Sequence, residues 1–198
     1  QHSRAFIFAS PPQGNASFRS AAVEMGQMMA SQATKFPVMV TQRLRLRQFE
    51  PKEDKGLHAC LGNQELVQYW DFAPCRNIQE TRGRVRALAK GAQPETAIAW
   101  AVADIKTDEC IGMVNYHHRE AYSRKLEIGY ILRAEYHGQG LMTEAVRKIM
   151  THCIDELKTR RIAAIIHPDN APSIRLAARL GFALEGGPLR DYWRVGDR

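Results

Sequence analysis

Strands and helices alternate along most of the 198-residue chain, and this alternation predicts an α/β fold with helices packed on a central sheet. Two patterns carry the prediction. Arg43-Leu44-Arg45-Leu46-Arg47 keeps a strict period of two, as a half-buried strand does. Ala145, Val146, Ile149, Met150, Cys153, Ile154 and Leu157 recur at helical spacing across residues 141–158, forming one apolar stripe that needs a sheet to cover it. The balance of 44% apolar and 25% charged residues, at a length suited to one domain, is that of a soluble globular protein.

The elements follow in order from residue 38. Leu44 and Leu46 turn one face of the first strand toward the core. Pro51 opens a helix that runs to about residue 61, since proline is tolerated in a first turn. A second helix spans residues 79–90 and closes at Gly91. Residues 96–105 and 110–117 read as antiparallel strands joined by the polar turn Lys106-Thr107-Asp108-Glu109. In the strand at 125–132, Leu126, Ile128, Tyr130 and Leu132 share one face, while Glu127, Gly129 and Ile131 share the other. The long helix 141–158 leads to a short strand at 161–167. Asn170 then caps a helix at 171–180, with Pro172 in its first turn and Gly181 placed for a left-handed end. Residues 182–184 and 192–195 read as strands around the loop Glu185-Gly186-Gly187-Pro188.

Residues 1–36 differ in composition, being rich in Ser, Ala, Gln, Gly and Met with Glu24 as their one acidic residue. They read as an N-terminal extension outside the domain, a leader or an added segment, leaving residues 37–198 as the domain. No apolar run approaches the roughly 20 residues of a membrane span. Cys60, Cys75, Cys110 and Cys153 lie 15, 35 and 43 residues apart, which suits reduced thiols of a cytoplasmic enzyme rather than zinc ligands. His117-His118 would point to opposite faces of a strand, so no metal site is expected. A formal charge of +7 suits nucleic acid, an acidic partner or a phosphate-rich cofactor, and the cluster Arg82-Gly83-Arg84-Val85-Arg86 reads equally as a solvated helix face.

Chemistry concentrates at Glu135-Tyr136-His137-Gly138-Gln139-Gly140-Leu141, between a strand and a long helix. Glycines let a ligand approach the backbone, and free N–H groups at a helix start bind anions. The turn lacks the Gly-Lys-Ser/Thr ending of a P-loop and the Gly-x-Gly-x-x-Gly of dinucleotide folds. A capped helix follows about 30 residues on, in Asn170-Ala171-Pro172-Ser173-Ile174-Arg175-Leu176-Ala177-Ala178-Arg179-Leu180-Gly181-Phe182.

Taken with Glu127-Ile128-Gly129-Tyr130, in that order and spacing, these segments resemble the GNAT acetyltransferases, specifically the RimJ/RimL-like branch that acetylates amino groups. The resemblance covers residues 38–198. It implies a mixed, mostly antiparallel sheet of about six or seven strands flanked by about four helices, with a splay between the fourth and fifth strands, those carrying Glu127 and residues 161–167. Acetyl-CoA would lie in the opening as co-substrate, with no metal. The backbone around Ile131 and Leu132 would pair with pantetheine, and N–H groups of His137, Gly138, Gln139, Gly140, Leu141 and Met142 would bind pyrophosphate. Asn170 and Ser173 would line the thiol end. Two positions depart from the family: Glu135 stands where Gln or Arg is usual, and Ala177 where many relatives carry the tyrosine that protonates the thiolate. The family also has a further strand after residues 191–195. Its lack here implies a shortened chain, monomeric, or a strand supplied by a partner subunit in a homodimer.

The implied reaction moves an acetyl group to a primary amine by direct attack, which needs a base, an oxyanion donor and a proton for sulfur. Glu127 is the candidate base if burial raises its pKa; otherwise it pairs with a cation at the sheet surface. Ser173 is the candidate acid, or else a capping residue. An N–H near Ile131 or Leu132 suits the oxyanion. Tyr192 reads as an acid or an aromatic anchor, Tyr69 and Trp70 as acceptor-site or core aromatics, and Glu144 as a stabiliser of the helix's first turn. His137 and His167 are weaker acid–base candidates. The acceptor is expected to be a protein N-terminal amine or a small-molecule amine, with an aminoglycoside or polyamine acetyltransferase, a non-catalytic acyl-CoA sensor and a nucleic-acid module as the competing readings.

Overall fold

A computed structural model describes residues 4–9, 36–90 and 95–190. Among them one eight-stranded sheet forms, flanked by five α-helices. The strands are β1 (Arg4–Ala9), β2 (Met39–Val40), β3 (Leu44–Arg47), β4 (Ile98–Asp104), β5 (Cys110–Glu120), β6 (Lys125–Leu132), β7 (Arg161–Ile166) and β8 (Ala183–Arg190). The helices are α1 (Asp54–Leu61), α2 (Gln64–Val67), α3 (Ile78–Lys90), α4 (Leu141–Asp155) and α5 (Ala171–Arg179). Sheet order is β2-β3-β4-β5-β6-β7-β1-β8, antiparallel throughout except for β6 and β7. The mixed sheet expected of about six or seven strands is therefore present, with one more strand and one more helix; α2 has the Asn63 side chain as its N-cap.

The two faces of the sheet bury separate cores. Leu44, Leu46, Leu126, Ile128 and Leu132 pack with Ala145, Val146, Ile149 and Cys153 of α4 and Leu176 of α5. Ile131, Ala101 and Met113 pack on the opposite side with Leu57, Leu61 and Val85 of α1 and α3. Period-two alternation along β6 thus sends alternate residues into different cores, as its sequence predicts. Trp100 is fully buried and donates its indole N–H to the Pro37 carbonyl at 2.7 Å, which fastens the segment before β2 to the sheet. Arg47 is buried too; its guanidinium lies 2.7 Å from Glu53 and 3.2 Å from Asp108, so the charge is paired on both sides.

Three expectations meet differences here. Residues 4–9, inside the stretch assigned to an extension, form a strand between β7 and β8, because Phe6-Ile7-Phe8 is a short aromatic and β-branched run that a sheet interior favours. Among the described residues, the sheet on that side is therefore built in part from the start of the chain. The segment read as a loop, Glu185-Gly186-Gly187-Pro188, lies within the continuous strand β8, with irregular register against β1 absorbing the glycines. Gly91 and residues 191–198, including Tyr192 and the strand expected at 192–195, lie outside the described residues.

Ile7 sits mid-strand, opposite Ile165 and Gly186. Ile7→Pro removes a ladder N–H where neighbours lie on both sides, and the expected loss of about 3 kcal/mol lowers the melting temperature by ~6–12 °C in calorimetry. An unchanged melting temperature would contradict the central position of β1.

Candidate active site

The parallel ladder between β6 and β7 is short. Lys125, Leu126 and Glu127 pair with Arg161, Ile162 and Ala163, and beyond Glu127 the two strands separate. The splay inferred between these strands is therefore present. Two cavities open along it. One of about 580 Å³ is bounded by Ile131 and Leu132, the turn at residues 136–138, the start of α4 and one side of α5. The other, of about 450 Å³, lies over Glu127, Gly129, His117 and His118. Tyr69, Trp70, Tyr130, Asn170 and Ser173 line both, so the cavities meet at these side chains.

The larger cavity holds the glycine turn. Gly138 and Gly140 have φ of 75° and 76°, the left-handed region that a Cβ disfavours by roughly 1–2 kcal/mol. Gly140 caps α4, whose first intrahelical bond runs from Glu144 N–H to the Gly140 carbonyl at 3.1 Å. The N–H groups of Leu141, Met142 and Thr143 accordingly project from the helix start without an intrahelical acceptor. Arg43 holds the turn in place: it donates to the Gln139 carbonyl at 2.9 Å and to Glu144 at 2.8 Å. Glu144 is thus occupied in fastening the start of α4 to Arg43, the residue before β3, a tertiary contact beyond the first-turn role expected of it. Of the residues assigned to cofactor binding, Ile131, Leu132, His137, Gly138, Gly140, Leu141, Met142, Asn170 and Ser173 all line this cavity; Gln139 does not. The His137 ring lies 2.9 Å from the Leu132 carbonyl, which ties the turn to the strand. Glu135 is neutralised by Arg133 at 2.6 Å and is exposed, away from the cavity lining. The cations that do reach the cavity are Arg175 and Arg179, one helical turn apart on α5. Sequence reading overlooked them because an i, i+4 arginine pair looks like any solvated helix face.

Where the cavities meet, the Asn170 side chain accepts from the Ser173 backbone N–H at 3.2 Å and caps α5. The Ser173 hydroxyl is therefore not the cap; it lies 2.7 Å from the Tyr130 hydroxyl. Burial pushes the Tyr130 phenol up to about 12, with the Ser173 contact opposing the shift, so it stays protonated at neutral pH. Tyr130 was assigned to the core face of β6, and its ring does pack there; its hydroxyl reaches the splay. No local signal in the sequence marks that reach. Ala177 is buried at 1% exposure and offers no proton.

The smaller cavity overturns the expectation for His117-His118. The register of β5 on β6 steps from His117↔Glu127 to Glu120↔Lys125, which inserts one extra residue, and His118 takes φ 49°. This β-bulge turns both imidazoles to the side of Glu127. His117 Nε2 and His118 Nδ1 each stand 3.4 Å from the same Glu127 oxygen. Glu127 is half-buried, yet the His117 contact, helped by His118, outweighs desolvation and holds its carboxyl below the ordinary range. The expected upward shift is thus reversed, since desolvation acts alone only where no partner is present. Gly129 floors the cavity, for a Cβ there would lie 2.7 Å from Asn115 Oδ1 and 3.7 Å from Trp70. Tyr69 stacks on His167 with ring centroids 4.8 Å apart, closing the side wall.

The other candidates are structural. All four cysteines are free and buried, and burial pushes the thiols of Cys110 and Cys153 up to about 12. Within the arginine cluster Arg82 pairs with Asp54 at 2.7 Å and Arg84 lies over the Phe72 ring, the behaviour of a helix face. Among the described residues no helix is long and apolar enough to cross a membrane.

A family model described as an acetyltransferase (GNAT) domain matches residues 43–183. An uncharacterized N-acetyltransferase of Bacillus subtilis, YoaA, is 31% identical over 157 residues, covering 79% of this chain and 88% of its own. The ribosomal-protein-serine acetyltransferase of Escherichia coli is 35% identical over 81 residues, 41% of this chain and 45% of its own. Among solved structures, the ribosomal L7/L12 alpha-N-protein acetyltransferase RimL in complex with coenzyme A superposes with a TM-score of 0.66 at 28% identity, covering 76% of this chain and 86% of that one.

Gly129→Ala forces Asn115 and its His117 contact to shift from the 2.7 Å approach. A loss of about 1–3 kcal/mol is expected in urea unfolding, as for other overpacked sites; a neutral result would show that the floor of the smaller cavity is not tightly packed.

Proposed function

The chain belongs to the GNAT acetyltransferase family, and from that premise we propose that it transfers an acetyl group from acetyl-CoA to a primary amine by direct attack in a ternary complex. The observation that carries the reading is the pair of cavities meeting at Tyr130 and Ser173. One has the chemistry of a phosphate-bearing thioester, the other of an amine that must lose a proton.

In the larger cavity, the exposed N–H groups at the start of α4 and the left-handed glycines beside them suit a pyrophosphate. Arg175 and Arg179 add charge along the same wall. Backbone groups therefore do what the Glu135 side chain cannot. Ile131 and Leu132 lie past the last β7 pair, on a stretch of β6 whose β5 edge is paired and whose other edge is open, where an extended pantetheine arm can align with the strand and an N–H can meet the developing oxyanion. Tyr130 supplies the proton that the departing sulfur takes, with Ser173 positioned beside it by a 2.7 Å contact. This moves the acid role from Ser173 alone to a Tyr130–Ser173 pair.

Glu127 remains the base, acting with His117. The carboxylate stays ionised at neutral pH and lines the smaller cavity, with the His117 imidazole beside it to share the proton it takes. As the amine nitrogen bonds to the carbonyl carbon and the C–S bond breaks, the amine proton passes to this pair. The favoured acceptor is a protein N-terminal α-amino group, in keeping with the relatives named for ribosomal-protein acetylation. A small polyamine is the second reading, favoured by Asp71 and Glu127 lining the same cavity. A mass-spectrometric screen of N-terminal peptides and amines with labelled acetyl-CoA distinguishes the two.

Glu127→Gln is expected to lower kcat/KM by roughly 10²–10⁴-fold while acetyl-CoA binding by calorimetry stays unchanged. Turnover unaltered across pH 6 to 9 would remove Glu127 from the mechanism. Tyr130→Phe should lower kcat with little change in acetyl-CoA affinity, since the lost hydroxyl acts on the leaving sulfur. Absence of saturable acetyl-CoA binding by well-folded native protein would overturn the cofactor assignment.

A further inference from the structure

The spacing of His117, His118 and Glu127 permits chemistry beyond proton transfer. We propose that these residues form a binding site for a divalent transition-metal ion of the zinc type, and that its occupancy blocks acetyl transfer. Their three donor atoms all lie within 4.8 Å of one another. Each imidazole nitrogen stands 3.4 Å from the same carboxylate oxygen, longer than the 2.7–3.2 Å typical of an N–H···O hydrogen bond. Ligands bound tetrahedrally at about 2.0–2.2 Å from zinc stand roughly 3.3–3.5 Å apart, so both separations match an edge of a zinc shell. The third edge, between the two imidazoles, closes by rotation of His118, whose side chain is 72% exposed.

The backbone and the neighbouring amide favour the same arrangement. A regular strand would place adjacent histidines on opposite faces. Here a bulge with non-glycine left-handed backbone at His118 turns both to one side. Behind them, the Asn115 amide nitrogen is 3.3 Å from His117 Nδ1, while Asn115 Oδ1 is buried without a partner. Turning the amide over, a choice that the heavy atoms leave open, gives Oδ1 the Nδ1–H of His117 and leaves the lone pair on Nε2. That is the tautomer a metal ligand requires, held by the outer-shell contact such ligands commonly have. A metal ion between Nε2 and the carboxylate oxygen then takes the place that a proton on Nε2 holds in the metal-free pairing.

Histidine and carboxylate donors select zinc, copper or nickel over magnesium or calcium. The four cysteines are buried and do not compete for the ion. The remaining coordination position faces the smaller cavity, lined also by Asp71, Tyr130 and Ser173. A bound ion therefore sequesters the proposed proton acceptors and occupies the place of the amine. Metal is an inhibitor here, not a requirement of the reaction. The binding half of the proposal is independent of the catalytic reading; the blocking half rests on it.

The test uses the metal-free 198-residue chain without a histidine tag. Zn²⁺ is titrated against a chromophoric chelator, and Co²⁺ is added to read its d–d absorption. One equivalent of Zn²⁺ should bind at micromolar concentration, and Co²⁺ should give intense tetrahedral bands. The pair of substitutions His117→Gln and His118→Asn, the latter tolerant of left-handed backbone, should weaken Zn²⁺ binding roughly 100-fold or more, and Asn115→Ala roughly 10–100-fold. Circular dichroism and acetyl-CoA binding are measured on each variant to establish that it is folded. Native protein that binds no stoichiometric Zn²⁺, or a folded double variant that binds it as tightly, overturns the site. Stoichiometric Zn²⁺ that leaves acetyl transfer undiminished overturns the blocking half. Zn²⁺ bound by a chain that does not bind acetyl-CoA supports the site while refuting the catalytic reading.

Discussion

The arrangement depends on a parallel ladder that stops early. β6 and β7 are joined at Glu127↔Ala163 and part beyond it. Parallel strands adjacent in a sheet would ordinarily continue to pair, leaving no room between them. Here α4 is the crossover connecting the two, and its apolar stripe packs on one face of the sheet while its N-terminus opens at the mouth of the gap. β6 stays paired with β5 along its length, so only the backbone groups on its β7-facing edge beyond Glu127 are left open to a ligand, where an intact sheet would have consumed them.

Among the described residues, charge around that gap is paired at Glu144 and Glu135. Arg43, the residue before β3, ties Glu144 and the Gln139 carbonyl together, so the start of α4 and the glycine turn are fastened to the sheet. Glu135 is paired with Arg133 and turned away. The positive wall comes from Arg175 and Arg179 on the facing helix. An anion held between a helix start and two guanidinium groups needs no lysine of the P-loop kind.

The other cavity depends on one inserted residue. Without the bulge at His118, Glu127 would have a single imidazole neighbour and an open sheet surface. With it, the carboxylate is shared by two imidazoles, its pKa is lowered rather than raised, and the proposed base becomes a cluster. The same crowding joins a proposed proton acceptor to a proposed metal site, since both uses need nitrogen lone pairs aimed at one point. Gly129 supplies the room beneath, because a Cβ would meet the Asn115 amide.

How much of this is legible in the sequence differs between local and non-local features. Periodicity alone yields the strand at Leu44–Arg47, both faces of Lys125–Leu132, the stripe of α4 and the capped start of α5, because side-chain direction follows from backbone geometry within a few residues. The positions of Gly138, Gly140 and Asn170 are likewise readable, since left-handed turns and caps have local residue requirements. Tertiary structure alone decides that Arg4–Ala9 lies between β7 and β8, as edge pairing depends on which strand is left without a neighbour. It also decides that Tyr130 reaches Ser173 across the splay and that a bulge brings His117 and His118 to Glu127. The chain's order therefore determines which groups are available and which way each element faces. Their protonation, pairing and possible ligands arise only where elements distant in sequence meet, because electrostatic and hydrogen-bond energies depend on separations that no local pattern encodes.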